Sequence, residues 1–161
     1  MAPVTQADPI AIPRPGDVRY RGRRLLVFYL DLYGMPFFDQ GRTFAAARTF
    51  VSTRMSAADL VALMVFEGRG ARLRLDFTDD RAALLGAIGQ MEIEAGEREG
   101  PLGVTWDPGG GAFGGDDEAF NLFTADRQLA ALLTAVAGFA PLPEVKTLIY
   151  FGSGLRANGA E

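Results

Sequence analysis

Three short segments of this chain are apolar almost without interruption: residues 23–31 (RRLLVFYLD), Asp59–Phe66 (DLVALMVF) and Lys146–Phe151 (KTLIYF). Continuous rather than alternating hydrophobicity is what a strand carries when both of its faces are covered, as in a parallel sheet. Parallel neighbours need long crossover connections, usually helical. The sequence between the runs meets that need. Over residues 40–55, Phe44, Ala47, Val51 and Met55 fall on one helical face with Phe50 beside them. After the second run, Gly68 and Gly70 supply turn residues, and Arg72-Leu73-Arg74-Leu75-Asp76 alternates polar with apolar. Alternation means one wet face, so this third strand is expected to be antiparallel and at an edge.

Thr78 and Asp79 are expected to open a second helix, whose stripe is Leu84, Leu85, Ile88 and Met91. From about 92 to 119 glycines, prolines and carboxylates follow one another without period. That stretch is expected to be a Gly-rich acidic loop. Thr124 reads as the N-cap of a third helix carrying Leu129, Leu132, Leu133, Val136 and Phe139, which Pro141 and Pro143 stop. The order β-α-β-β-α-loop-α-β predicts an α/β fold: an open, mostly parallel sheet with helices on both faces, four strands and three helices. Residues 1–22, with Pro3, Pro9, Pro13 and Pro15, read as an extended, mobile lead-in to a domain over 23–161. A run as apolar as Lys146–Phe151 should not stand as an unprotected edge. The fold is therefore expected to be incomplete, its cover coming from remaining strands of its own domain or from a homo-oligomer partner.

Composition removes whole classes of chemistry. The chain has no histidine and no cysteine, which excludes Ser-His-Asp catalysis, thiolate chemistry and soft-ligand metal sites. Only oxygen ligands for hard cations are left. A net charge of −4 gives no basis for nucleic-acid binding. No apolar stretch reaches the length of about 20 residues that spans a bilayer. The first twenty residues also lack the apolar core of a secretory signal.

Taken in order, RRLLVFYLDLYGMP, MSAADLVALMVF, FTDDRAALL and FNLFTADRQLAALLTAV…LPEVKTLIYFGSGL resemble von Willebrand factor type A-related proteins of bacteria, particularly the Acidobacteria-type group. The likeness covers about residues 13–158. It implies a Rossmann-like sheet of order 3-2-1-4-5-6, of which this chain supplies the first four strands. It also implies a protein- or matrix-binding module built round a metal-ion-dependent adhesion site at the carboxyl ends of the strands. The family motif D-x-S-x-S begins here at Asp31 but meets Tyr33 and Met35 where the hydroxyls belong. The second-loop threonine falls on Thr124, and the late aspartate position on Ser153. The resemblance thus implies a degenerate site of Asp31, Thr124 and Ser153, holding Mg²⁺ or Mn²⁺ at best weakly.

Each of these residues also has a plain structural reading. Asp31 can satisfy backbone N–H groups of the turn after its strand, Thr124 can cap a helix, and Ser153 sits between two glycines as turn chemistry. The implied partner is another protein or an extracellular macromolecule, met by Tyr33, Met35 and Phe37. Phe37 and Phe38 serve equally well as packing under the first helix. The implied location is exported: periplasmic, envelope or secreted. A second reading is a metal-free structural scaffold within a longer bacterial protein. A third, a metal-assisted hydrolase or nucleotide-binding enzyme, lacks the G-x-G-x-x-G glycines at the first strand–helix junction, D-L-Y-G-M-P. The expectation is a binding module, not an enzyme.

Overall fold

The structure is a computed structural model and describes residue 10 and residues 18–33, 35–99 and 118–153. Its elements run β1 (Arg24–Asp31), α1 (Phe37–Thr53), β2 (Asp59–Phe66), β3 (Ala71–Thr78), α2 (Arg81–Glu99), α3 (Glu118–Phe139) and β4 (Lys146–Phe151). They build an open mixed sheet of order β3-β2-β1-β4. β1 pairs in parallel with β2 on one side and with β4 on the other, while β2 pairs antiparallel with β3. The described residues thus form an α/β fold with three helices and four strands, consistent with the Rossmann-like class. No helix among the described residues is long and apolar enough to cross a membrane.

The unbroken apolar runs have a direct cause in this order. Every residue of β2, and every residue of β1 after Arg24, is buried. Successive side chains point to opposite faces, so the two strands feed two cores. Leu26, Phe28 and Leu30 meet Phe44, Ala47 and Val51 of α1 and Leu84, Ile88 and Met91 of α2. On the other face Leu25, Val27 and Tyr29 meet Ala131, Ala135 and Phe139 of α3. β4 is apolar over residues 148–151 but is only half-buried, because among the described residues nothing pairs with its outer side. β3 is the other edge, protected by its arginines and by register shifts against β2 between Val61 and Met64.

Polar groups close the element ends. Asp59, fully buried at the start of β2, takes Arg24 Nε and Nη2 at 2.7 and 2.9 Å and the Ser56 N–H at 2.8 Å. Arg81 donates to the carbonyls of Ser52 and Met55, finishing α1 from the start of α2. Lys146 does the same for α3 at Ala140 and Leu142.

Several boundaries differ from those read in the sequence. α1 begins at Phe37 rather than Gln40 and ends at Thr53. The cap of α2 is Asp80, whose carboxylate accepts from the Ala83 N–H at 3.0 Å; Thr78 closes β3 instead. Residues 92–99 are not loop. They continue α2, because Ala95 extends the buried stripe beyond Met91 and the glutamates pair with arginines on neighbouring elements: Glu92 with Arg48, and Glu94 with Arg74. Of the remainder, 118–119 begin α3, and 100–117 lie outside the described residues. Within the stretch read as lead-in, Tyr20 is buried edge-on against Phe77, 5.7 Å between ring centroids.

Phe28 ties the sheet together, meeting Phe50 of α1 and Phe151 of β4 edge-on at 5.2 and 5.3 Å. Phe28→Ala should cost about 3–5 kcal/mol, read as a lowered urea midpoint at unchanged slope.

Candidate functional site

In an open α/β sheet, ligands bind beyond the carboxyl ends of the strands, where connections leave a central strand in opposite directions. Here that point lies between β1 and β4, and Asp31 is the last residue of β1. It lies on the face covered by α3, two residues beyond Tyr29, and is 3% exposed.

Burying a carboxylate is costly unless donors surround it. Three reach Asp31. The Tyr150 hydroxyl of β4 donates to Oδ2 at 2.7 Å, and Gln128 Nε2 of α3 donates to the same oxygen at 2.9 Å. The Tyr33 N–H donates to Oδ1 at 3.3 Å, closing the turn after the strand. Burial nevertheless dominates and holds the Asp31 carboxyl above its ordinary value of 3.8, while the Tyr150, Tyr33 and Gln128 hydrogen bonds pull it back down. Tyr150 is raised above the usual tyrosine range by burial and by its bond to Asp31, so it stays a hydroxyl donor at neutral pH. Tyr29, paired with Tyr150 in the ladder, stacks on it at 5.9 Å and 16°. Its hydroxyl is buried with no hydrogen-bond partner among the described residues.

Two glycines make room for the tyrosines beside Asp31. A Cβ at Gly152 would lie 2.5 Å from the Tyr150 ring. One at Gly68, whose φ is +93°, would lie 2.6 Å from the Tyr33 ring. The Tyr33 ring is half-buried, edge-on to Phe66 at 5.8 Å, with Arg127 of α3 over it.

Of the residues singled out in the sequence, Asp31 and Tyr33 meet at this site. Thr124 is the seventh residue of α3, not its cap, because the helix begins at Glu118. Among the described residues Thr124 makes no hydrogen bond to Asp31; Gln128, one turn further on, does. Ser153 lies in an exposed bend past β4, and the contact from that strand comes from Tyr150 instead. Met35 is 5% exposed and packs in the core under α1, with its sulfur accepting from Thr43 Oγ1 at 3.5 Å, so it does not present itself to a partner. Phe37 is 42% and Phe38 84% exposed in the first turn of α1. Asp116 and Asp117 lie outside the described residues.

This donor set does not fit a divalent cation. A hard ion needs several oxygen ligands, and a cation at Asp31 would have to displace a hydroxyl and an amide N–H already aimed at its carboxylate. Among the described residues no cluster of three acidic side chains stands close enough to hold a metal. Tyr150, Gln128, Tyr29 and Arg127 had escaped the sequence reading. The only hint of them was that Tyr150 and Tyr29 occupy like positions in two runs of the same type.

Compared with known proteins, the sequence matches no family model, and no curated protein matches it.

The raised Asp31 carboxyl has a signed consequence. When the folded value exceeds the unfolded one, the protonated form favours folding, and that contribution is lost as pH rises from the ordinary value through the raised one. Asp59, Asp79 and Glu94 are held below their ordinary values by Arg24, Arg23 and Arg74, so their contribution is instead lost as pH falls. Asp31→Asn removes only the first effect. In urea unfolding at pH 4 and pH 7, the variant should stand higher relative to the parent chain at pH 7; a difference independent of pH would refute this. Tyr150→Phe, which strips one donor from the buried carboxylate, should destabilise by about 1 kcal/mol at neutral pH.

Proposed function

We propose that this chain is a protein-binding module of the von Willebrand factor A-like type whose strand-end face works without a metal ion. One observation carries the reading: the carboxylate at the switch point is closed off by Tyr150, Gln128 and the Tyr33 N–H. In the metal-dependent version of such a site, that carboxylate would serve as a ligand. Here it joins β1, β4 and α3. What remains at that end is suited to contact. Phe37 and Phe38 project from the start of α1, and Phe123, 60% exposed, from the first half of α3. Exposed aromatics at a rigid sheet end are the residue types that anchor protein interfaces. The scaffold reading shares the metal-free site and differs only in assigning no partner to this face.

Thermal melts of the whole chain with EDTA and with rising Mg²⁺ or Mn²⁺ check the metal-free half of the proposal. An ion at 100 times its dissociation constant would add roughly 2.7 kcal/mol, a rise of several degrees for a chain of this size. The expected outcome is a cooperative melt at the same temperature throughout. A saturable rise abolished by Asp31→Asn would overturn it.

A further inference from the structure

We infer that Arg127 is the recognition point of this face, and that it takes a side-chain carboxylate from an acidic, partly apolar segment of a partner protein. The inference rests on the metal-free binding reading and adds the chemistry of the partner.

Arg127 differs from the arginines that the fold pairs with its own carboxylates. Arg48, Arg74 and Arg98 each pair with a glutamate, and Arg23 and Arg24 each pair with an aspartate. The half-buried Arg127 has no carboxylate partner among the described residues. Its guanidinium carbon instead lies 5.8 Å from the ring centroid of Tyr33 and 5.6 Å from that of Phe123. Ring contacts of this kind act on the charge of the guanidinium. They hold it in place without using its N–H donors, which lie at the perimeter and match a carboxylate two bonds at a time. A side chain held in this way loses little further freedom when it binds.

The nearest candidate anion inside the fold is already engaged. Asp31 accepts from Tyr33, Gln128 and Tyr150 and not from Arg127, although Gln128 is the next residue along α3. Adjacent residues thus divide the work, Gln128 turning inward to the buried carboxylate and Arg127 outward over the rings. The position is the carboxyl end of the sheet, where α/β sheets receive ligands. Exposed Phe123 beside the cation calls for an apolar neighbour next to the partner's carboxylate. A cation held by two rings on a chain of net charge −4 suits a carboxylate and not a polyphosphate backbone.

The test is a displayed library of random peptides, panned against the full chain and against Arg127 variants whose circular dichroism and melts match the parent. The parent should enrich peptides with Asp or Glu beside an aromatic or aliphatic residue. Those peptides should bind Arg127→Gln about tenfold or more weakly, and should weaken in the parent as salt rises. Arg127→Glu should enrich basic peptides instead. If Arg127→Gln does not fold, Arg127→Lys, which keeps the charge but not the planar fork, should show the same loss in smaller measure. Enrichment without carboxylates, acidic peptides that bind Arg127→Gln equally well, or peptides bound only when phosphorylated would each overturn the inference. Binding lost in Phe123→Ser yet indifferent to Arg127 would leave the binding module standing and remove Arg127 from it. No enrichment by the parent chain would remove both.

Discussion

Burial of β1 on both faces is the constraint from which the rest of the architecture follows. A strand whose odd and even side chains must both leave water needs one helical layer above and another below. α1 and α2 supply one, and α3 with Tyr20 and Leu142 supplies the other. Parallel neighbours reached by helical crossovers meet that demand, and β1 has one on each side, β2 and β4. The antiparallel β3 can sit outside β2 because only one of its faces must be dry. Phe28 at the middle of β1 shows the arrangement at the scale of one side chain, touching α1 on its face and Phe151 of the neighbouring β4.

The same double burial shapes the end of the strand. Asp31 leaves β1 at the switch point on the side where α3 descends, so its carboxylate enters a nearly dry layer. Donors from β4, from α3 and from the turn after β1 answer it, and the sheet end becomes a joint between β1, β4 and α3. Gly152 and Gly68 belong to this joint, since without them the Tyr150 and Tyr33 rings could not lie where they do. What an adhesion-type site would offer to a cation is here spent on internal cohesion. Among the described residues at this end, Arg127 has no carboxylate partner and rests instead against the Tyr33 and Phe123 rings.

Helix limits show how local pattern and tertiary context divide. α2 is eight residues longer than its obvious stripe suggested, because Glu92 and Glu94 pair with Arg48 and Arg74 on other elements. Read locally, those glutamates resembled an acidic loop. Thr124 carried a cap signal that the helix starting at Glu118 overrode. For α2 the local signal gave way to ion pairs that exist only once the layers are assembled.

By itself the sequence determined the order of strands and helices, the parallel core, the wet β3 edge and the turn at Gly68 and Gly70. It could do so because hydrophobic period and glycine placement are local properties, set by side-chain direction and backbone sterics. It also marked Asp31 as the residue where the central strand turns, and allowed the bond from a nearby backbone N–H that Tyr33 makes. Only the tertiary structure decided what Asp31 does. Its partners lie 97 residues away at Gln128 and 119 residues away at Tyr150, and no local pattern links them. Strand register and the seating of α3 on the sheet brought them together, and both were set by packing both faces of β1 at once.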